Sequence, residues 1–345
     1  MMLQTETEAG KIATAARMLE SGRLVAFPTE TVYGLGADAE NPEAVRQVFA
    51  LKGRPADRPL SVNVSKDTDI TYWASEIPPM AEKLMDVFWP GPLTLVLKKS
   101  AHVPDTISRG KDSVALRCPA HPLAIALLKT FKQGRGGIAA PSANRSGHVS
   151  PTTAQHVRDE FGGDERLGMV LDGGSCNFGI ESTILDLSRL ETDGPLILRP
   201  GVVTAEQIAE VIGEYPTVQG TVSVLETVHA GSHYAPMTPV LVLSAARIQH
   251  VLTSEPAEKM VLLVHTEALF RSLAEHHPQV TIKCLPDSPA DYAQQLYAVL
   301  REVDDGGFDA ILLEAVPEIP AWQAVHDRLA GIAAGRERKL SSTAF

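Results

Sequence analysis

The sequence has few features of secreted, disulfide-linked or membrane-spanning proteins. Its three cysteines, Cys118, Cys176 and Cys284, are far apart and odd in number, so they indicate neither a disulfide framework nor a zinc site. No apolar run reaches the roughly 18 residues that a membrane helix needs, and the polar, then amphipathic N-terminal segment is unlike a secretory signal. We therefore expect a cytoplasmic protein with no membrane partner, whose cysteines are small core residues.

The motifs of several common nucleotide enzymes are also missing. No G-x-x-x-x-G-K-[ST] string occurs, which argues against a P-loop kinase, and no Ser/His/Asp or Cys/His set has a motif spacing. The string GLGADA (34–39) has the form of a dinucleotide-binding turn. However, residues 28–33 separate it from the preceding strand, and no acidic residue follows at the expected place. We reject a nicotinamide enzyme and interpret Gly34 and Gly36 as permissive positions where the strand turns tightly.

The charge of the chain is unevenly distributed. The net charge is −11, yet residues 46–145 hold 15 Lys and Arg against 8 Asp and Glu. A basic segment in an acidic protein indicates a locally bound anionic ligand, although a mixed solvated surface explains the same count equally well.

The length of 345 residues allows about two domains. In residues 1–213 strands and helices alternate, but several strands follow one another directly, which predicts a mixed α/β sheet. Residues 214–238 contain Gly and Pro with little periodicity, as in a linker or a functional lid. Residues 239–345 show regular strand–helix alternation, which predicts a smaller, Rossmann-like parallel α/β domain.

Two polar segments carry the candidate anion-binding groups. In LKGRPADRPLSVNV (51–64), Lys52, Arg54 and Arg58 lie close together in a loop stiffened by prolines. Lys provides a point charge and Arg a two-pronged donor, which suits a polyphosphate, although an ordinary basic loop has the same composition. In APSANRSGHVSPT (140–152), hydroxyl and backbone N–H groups follow a strand and are suited to phosphate or sugar, but small polar loops are common.

Together, these strings resemble the threonylcarbamoyl-AMP synthase family in its two-domain form. They occur in family order across about 210 residues, and the set is specific although no single string is. The matching segments are FPTETVYGLGADA (27–39), KGRPADRPL (52–60), WPGPLTLVL (89–97), SVALRCPAH (113–121), APSANRSGHVSPT (140–152), GIESTILDL (179–187), LRPGVV (198–203) and HYAP (233–236). The resemblance implies a twisted mixed-sheet, YrdC-like domain with a concave basic face.

The resemblance also implies a reaction. L-threonine, bicarbonate and ATP would give threonylcarbamoyl-adenylate and pyrophosphate, and a downstream threonylcarbamoyl transferase complex would use the adenylate to modify tRNA. Mg²⁺ would accompany ATP, with water and phosphate oxygens as its ligands, and we assign no protein ligand to it. We expect no nucleophilic Ser or Cys, because such a transfer depends on positioning and charge stabilisation.

Matching motifs assign residues to two subsites. By this resemblance Lys52 and Arg54 are catalytic, holding the phosphates and stabilising the developing charge. The implied ATP site contains Lys52, Arg54, Arg58, Ser113, Ser142, Asn144, Ser150, Arg199 and Tyr234. The implied threonine site contains Thr31, Asn63, Arg117 and Ser182. Arg117 would act as a fork for the amino-acid carboxylate, and Tyr234 would reach the nucleotide if residues 214–238 crossed the active site as a lid.

Some of these assignments have structural alternatives or depart from the family pattern. Asn144 could organise its loop as an Asx turn, and Tyr234 could anchor the linker in a core. Thr31 and Ser113 could satisfy backbone groups of their loop or strand, Ser182 could be a strand-edge hydroxyl, and Arg199 could form a surface ion pair. Arg58 stands where the family usually has Asn or His. Asn63 stands where it often has His, and an amide cannot titrate. The run ETVHAGSHYAP lacks the upstream part of the family's usual linker.

Two other functions were compared with the synthase. An RNA-binding module of the same fold, acting on tRNA or double-stranded RNA without adenylate chemistry, would use the same basic face. A carbamoyl transferase of hydrogenase maturation would carry cysteine zinc fingers, and three scattered cysteines exclude that arrangement.

Overall fold

A computed structural model describes residues 7–219, 234–254 and 259–333. The described chain forms two compact units. The first comprises residues up to 146, 150–177 and 181–219, and the second comprises residues 147–149, 178–180 and those from 220 onward. Most of the predicted lid, including His233, lies outside the described residues, and the domain boundaries at residues 213 and 238 remain predictions.

The first unit is built on a mixed sheet of ten strands in the described residues. The strands are β1 (Leu24–Phe27), β2 (Gly34–Asp38), β3 (Ser61–Asn63), β4 (Leu93–Lys98), β5 (Ser113–Arg117), β6 (Ile138–Ala139), β7 (Leu167–Val170), β8 (Thr183–Asp186), β9 (Leu196–Arg199) and β10 (Thr217–Val218). Their order is β10-β9-β8-β4-β5-β3-β6-β2-β1-β7. Pairs such as β3/β5 and β4/β8 are parallel, whereas β1/β2 and β4/β5 are antiparallel. The predicted mixed sheet is confirmed.

Helices surround this sheet and shield its apolar residues. They are α1 (Glu8–Glu20), α2 (Pro42–Lys52), α3 (Pro79–Phe88), α4 (Asp105–Ser108), α5 (Pro122–Thr130), α6 (Ala154–Phe161), α7 (Leu190–Asp193) and α8 (Ala205–Ile212). Helix α2 carries the predicted catalytic residue Lys52. Capping interactions fix both ends of this helix. The Asn41 side chain accepts from the N–H groups of Glu43 and Ala44, and Gly53 ends the helix in the left-handed conformation at φ 60°. Lys52 is therefore fixed as the last helical residue.

The interpretation of Gly34 and Gly36 as a tight turn is wrong. Both lie inside strand β2, which pairs with β1 so that Gly34 is opposite Phe27. A Cβ on Gly36 would lie 2.9 Å from side-chain atoms of Ile138 and Phe27. Glycine is needed at position 36 because these two side chains pack directly over the backbone.

The second unit contains a smaller sheet in which all the pairs are parallel. Its strands are β11 (Val240–Leu243), β12 (Met260–Val264), β13 (Thr281–Cys284) and β14 (Ala310–Glu314), in the order β11-β14-β12-β13. Its helices are α9 (Ala245–Ser254), α10 (Glu267–His276), α11 (Pro289–Asp304) and α12 (Gln323–Ala333). Apolar residues from β12, β14 and the helices form its core. The predicted parallel α/β unit is confirmed.

The cysteines differ from one another in burial. Cys118 and Cys176 are buried as predicted, but Cys284 is exposed, and the prediction for it is wrong. The reason is that Cys284 ends β13, which lies at the edge of the second sheet, where side chains are less covered. Within the described ranges, no helix is both long and apolar enough to cross a membrane.

Candidate active site

Lys52 is one of the buried basic residues of the first unit. Its side chain is 3% exposed, and its Nζ donates hydrogen bonds to the backbone carbonyl oxygens of Ser142 and Asn144. The N–H of Ser146 in turn donates to the Lys52 carbonyl at 2.8 Å. The end of α2 and the loop after β6 are thereby joined, so the fold brings together the two segments that the sequence singled out for phosphate.

The environment of Lys52 makes its charge responsive to a bound anion. Burial and, to a smaller extent, the positive charge of Arg54 lower the pKa of Lys52 from 10.5 to about 7, against an opposing effect of Glu160. Burial in a low-dielectric site disfavours the ammonium form, whereas a nearby anion favours it. A phosphate placed beside Nζ would therefore raise this pKa again.

Two other predicted cations of the ATP site, Arg54 and Arg58, lie in the loop from 53 to 60. Arg54 Nη2 donates to the carbonyl of Pro59 at 2.9 Å, and the N–H of Arg58 donates to the carbonyl of Pro55 at 3.3 Å. Strand β3 follows this loop and is parallel to β5, whose first residue is Ser113. Because the two strands are parallel, Ser113 at the start of β5 lies beside the place where the basic loop enters β3.

Arg117 lies at the other end of β5, directly opposite Asn63 of β3. Its Nη2 donates to Glu30 Oε1 at 2.6 Å and to Thr31 Oγ1 at 2.9 Å, and its Nε donates to the carbonyl of Gly91 at 3.4 Å. All four side chains of this group, including Asn63, are buried. Nη2 and Nε thus donate within the protein, and Nη1 has no hydrogen-bond partner among the residues that the structure describes. The contact of Arg117 with a threonine carboxylate remains a prediction.

Ser182 is held by two neighbours at the start of β8. Its Oγ is 2.8 Å from Thr94 Oγ1, and Arg199 Nη2 donates to its Oγ at 3.2 Å and to its carbonyl oxygen at 2.8 Å. The structure therefore joins Arg199, predicted for the ATP site, to Ser182, predicted for the threonine site. The sequence did not suggest this contact.

A buried carboxylate links the polar loop after β6 to the start of β8. Ser150 Oγ donates to Glu181 Oε1 at 2.6 Å, and both residues are buried. The sequence analysis assigned no role to Glu181 or Glu30, two buried acids that precede the predicted subsite residues Ser182 and Thr31 in the chain. A usable signal existed, because each stands next to a hydroxyl residue assigned to a subsite, and a buried acid needs a donor or a cation.

Asn144 and Tyr234 both have local partners. Asn144 Nδ2 donates to the carbonyl of Arg145 at 2.9 Å, while the Asn144 backbone oxygen accepts from Lys52. Tyr234 belongs to the second unit, where its ring lies 5.9 Å from the Tyr297 ring and 5.5 Å from the Arg328 guanidinium. Its contact with nucleotide remains a prediction.

Neither buried cysteine of the first unit has the character of a nucleophile. Burial, together with the negative charge of Glu30, raises the pKa of Cys118 to about 11 and that of Cys176 to about 12. Thiols that stay protonated are weak nucleophiles. In the part of the chain that the structure describes, no group of three or more His, Cys, Asp and Glu side chains is placed to hold a metal ion.

The sequences of both units match known protein families. A family model for Sua5, YciO and YrdC proteins, described as telomere recombination, matches residues 17–201. A second model, described as the C-terminal domain of threonylcarbamoyl-AMP synthase, matches residues 203–335. The class is therefore a YrdC-like domain followed by a Sua5-type C-terminal domain. The chain belongs to the threonylcarbamoyl-AMP synthase family.

Individual relatives cover nearly the whole chain. The threonylcarbamoyl-AMP synthase of Pyrococcus abyssi is 40% identical, and the match covers 93% of this chain and 94% of that protein. The Bacillus subtilis threonylcarbamoyl-AMP synthase is 37% identical and covers 96% of each. The crystal structure of P. abyssi Sua5 complexed with L-threonine has a TM-score of 0.82 and 36% identity, over 95% of this chain and 96% of that chain.

Proposed function

We propose that this chain is an L-threonylcarbamoyladenylate synthase. It combines L-threonine, bicarbonate and ATP into threonylcarbamoyl-AMP, pyrophosphate and water, and the adenylate serves the threonylcarbamoyl modification of tRNA. The proposal rests above all on one observation. A buried Lys52, bound to the loop that carries Ser142 and Asn144, shares a unit with a buried Arg117 that has one guanidinium nitrogen left for a carboxylate.

The reaction requires positively charged groups from the protein more than it requires a nucleophilic side chain, because the substrate carbamate is itself the nucleophile. Threonine's amine and bicarbonate form a carbamate with loss of water, and a carbamate oxygen attacks the α-phosphorus of ATP while pyrophosphate leaves. Two anions must approach each other, so positive groups have to offset their repulsion. In this proposal Lys52 and Arg54 hold the phosphates, while Arg117 orients the threonine carboxylate.

The remaining residues have supporting roles in the proposal. Ser142, Asn144 and Ser150 line the nucleotide side, and the Ser182–Arg199 contact joins that side to the threonine side. Mg²⁺ would come with ATP, held by phosphate oxygens and water, and would offset phosphate charge. We place the reaction in the cytoplasm and propose a threonylcarbamoyl transferase complex as the consumer of the adenylate.

The direct test is pyrophosphate release by the purified protein. We expect release from ATP only when threonine and bicarbonate are both present, because the carbamate is the attacking group. Omitting either substrate should reduce release to the background of ATP hydrolysis. Release that is independent of threonine would refute the proposal.

Nucleotide binding should take up a proton near pH 8. With a pKa of about 7, Lys52 is mostly neutral at pH 8 before binding, and the arriving triphosphate raises that pKa. At pH 6 the amine is already protonated, so uptake should vanish there. Titration calorimetry in buffers of different ionisation enthalpy measures the proton count, and Lys52→Met should abolish the uptake at pH 8.

An RNA-binding module remains the second candidate, favoured by the 15 Lys and Arg against 8 Asp and Glu in residues 46–145. Contact with tRNA through this basic segment is compatible with the synthase as well. Salt-dependent tRNA binding by a protein that releases no pyrophosphate would favour the module alone.

A further inference from the structure

We propose that Glu30, together with the hydroxyl pair Thr29–Thr31, positions Arg117 for the threonine carboxylate. This inference rests on the proposed function and adds two residues to it that no motif assignment included. Neither Glu30 nor Thr29 is proposed to touch a substrate. Both act through the guanidinium group of Arg117.

Glu30 is suited to this role because a carboxylate only accepts hydrogen bonds. Its Oε1 accepts from Arg117 Nη2 at 2.6 Å, and its Oε2 accepts from the backbone N–H of Ala120 at 2.8 Å. Both oxygens thus face donors, in a side chain that is 5% exposed. An amide of the same shape would direct its NH₂ group at one of these donors, so the carboxylate cannot be replaced isosterically.

Thr29 determines which way the Thr31 hydroxyl points. Thr29 Oγ1 is 2.6 Å from the carbonyl oxygen of Val32, which can only accept, so the single Thr29 hydroxyl proton is used there. Thr29 Oγ1 also lies 2.9 Å from Thr31 Oγ1, and in this pair Thr31 must therefore be the donor. The lone pairs of Thr31 Oγ1 are left to accept from Arg117 Nη2 at 2.9 Å.

Glu30 and Thr31 both accept hydrogen bonds from the same nitrogen, Arg117 Nη2. Both hydrogens of Arg117 Nη2 are directed at acceptors, one at Glu30 and one at Thr31, while Nε points at the carbonyl of Gly91. The guanidinium plane is thereby fixed before substrate arrives, which lowers the entropy cost of binding. The remaining nitrogen, Nη1, is presented in one orientation to an α-carboxylate.

The first test replaces Glu30 by Gln and measures threonine binding by calorimetry and pyrophosphate release by steady-state kinetics. We expect the Kd and KM for threonine to rise about tenfold, as for loss of a buried hydrogen bond to a charged group. The KM for ATP and kcat at saturating threonine should change less than about threefold. The matched control is Glu76→Gln, which removes an exposed carboxylate paired with Lys98.

The second test compares Thr29→Val with Thr29→Ser. Valine removes the oxygen that accepts from the Thr31 hydroxyl and from the backbone N–H groups of Thr31 and Val32. Thr31 can then turn its hydrogen toward Arg117, and the threonine KM should again rise about tenfold. Serine keeps the hydroxyl and should restore values within about threefold of the wild type. Thr71→Val is the control, since it removes an exposed hydroxyl that donates to Asp69 in the same turn.

The outcomes separate this inference from the function on which it rests. A wild-type protein without threonine-dependent pyrophosphate release refutes the proposed function, while the threonine Kd values still test the positioning role. Glu30→Gln with a wild-type or lower Kd for threonine overturns the inference. It is equally overturned if the KM values for ATP and threonine rise together, or if Thr29→Ser behaves like Thr29→Val.

Discussion

Replacing Lys52 by Met is expected to lower kcat/KM for pyrophosphate release by about 100- to 1000-fold. This is the loss seen when a group that stabilises transition-state charge in a water-excluded site is removed. Methionine fills a similar volume, so the packing at the end of α2 should persist. Steady-state kinetics with ATP, threonine and bicarbonate measures the effect.

The same substitution should leave the fold intact. Burial already disfavours the Lys52 ammonium in the free protein, as its pKa of about 7 shows, so an uncharged chain removes a desolvation cost while it loses two hydrogen bonds to carbonyls. Thermal unfolding of Lys52→Met should follow that of the exposed control Lys83→Met. A variant that keeps more than about a tenth of wild-type turnover would show that Lys52 does not stabilise developing charge.

Replacing Arg117 by Met is expected to be the most destabilising change in the site. The carboxylate of Glu30 would stay buried without its cation, and breaking a buried pair on one side costs about 3–5 kcal/mol. Threonine use should also be lost, because Nη1 disappears with the rest of the guanidinium. Urea unfolding measures the first effect and pyrophosphate release the second.

The double variant Glu30→Gln/Arg117→Met separates stability from function. Without the buried charge, most of the lost stability should return, because the cost comes from the unpaired carboxylate and not from the missing cation. Threonine-dependent turnover should stay at the level of Arg117→Met. A double variant as unstable as the single one would contradict the ion-pair argument.

Local sequence signals were sufficient for the elements that carry the site. Strands β5 and β9 span the short apolar-rich runs Ser113–Arg117 and Leu196–Arg199, and α2 starts at Pro42 directly after the capping residue Asn41. These features depend on neighbours along the chain, namely alternating apolar residues, a capping side chain and a proline. As a result, Lys52 is the last residue of α2 and Arg117 is the last residue of β5.

The misses depend on contacts between distant parts of the chain. Glu30 and Arg117 are 87 residues apart in sequence, and no local pattern announces their pairing. Strand β2 was missed because its two glycines indicate a turn locally, whereas packing of Phe27 and Ile138 over Gly36 decides the conformation. The link between Arg199 and Ser182 likewise requires β8 and β9 to be adjacent.

We expect this protein to join threonine, bicarbonate and ATP into one adenylate. The most direct measurement supplies ¹³C-bicarbonate and identifies the product by mass spectrometry. We predict a threonylcarbamoyl-AMP that carries the label in its carbamoyl carbon and forms only when all three substrates are present. AMP or ADP as the sole nucleotide product, with no labelled adenylate from an active preparation, would contradict the claim.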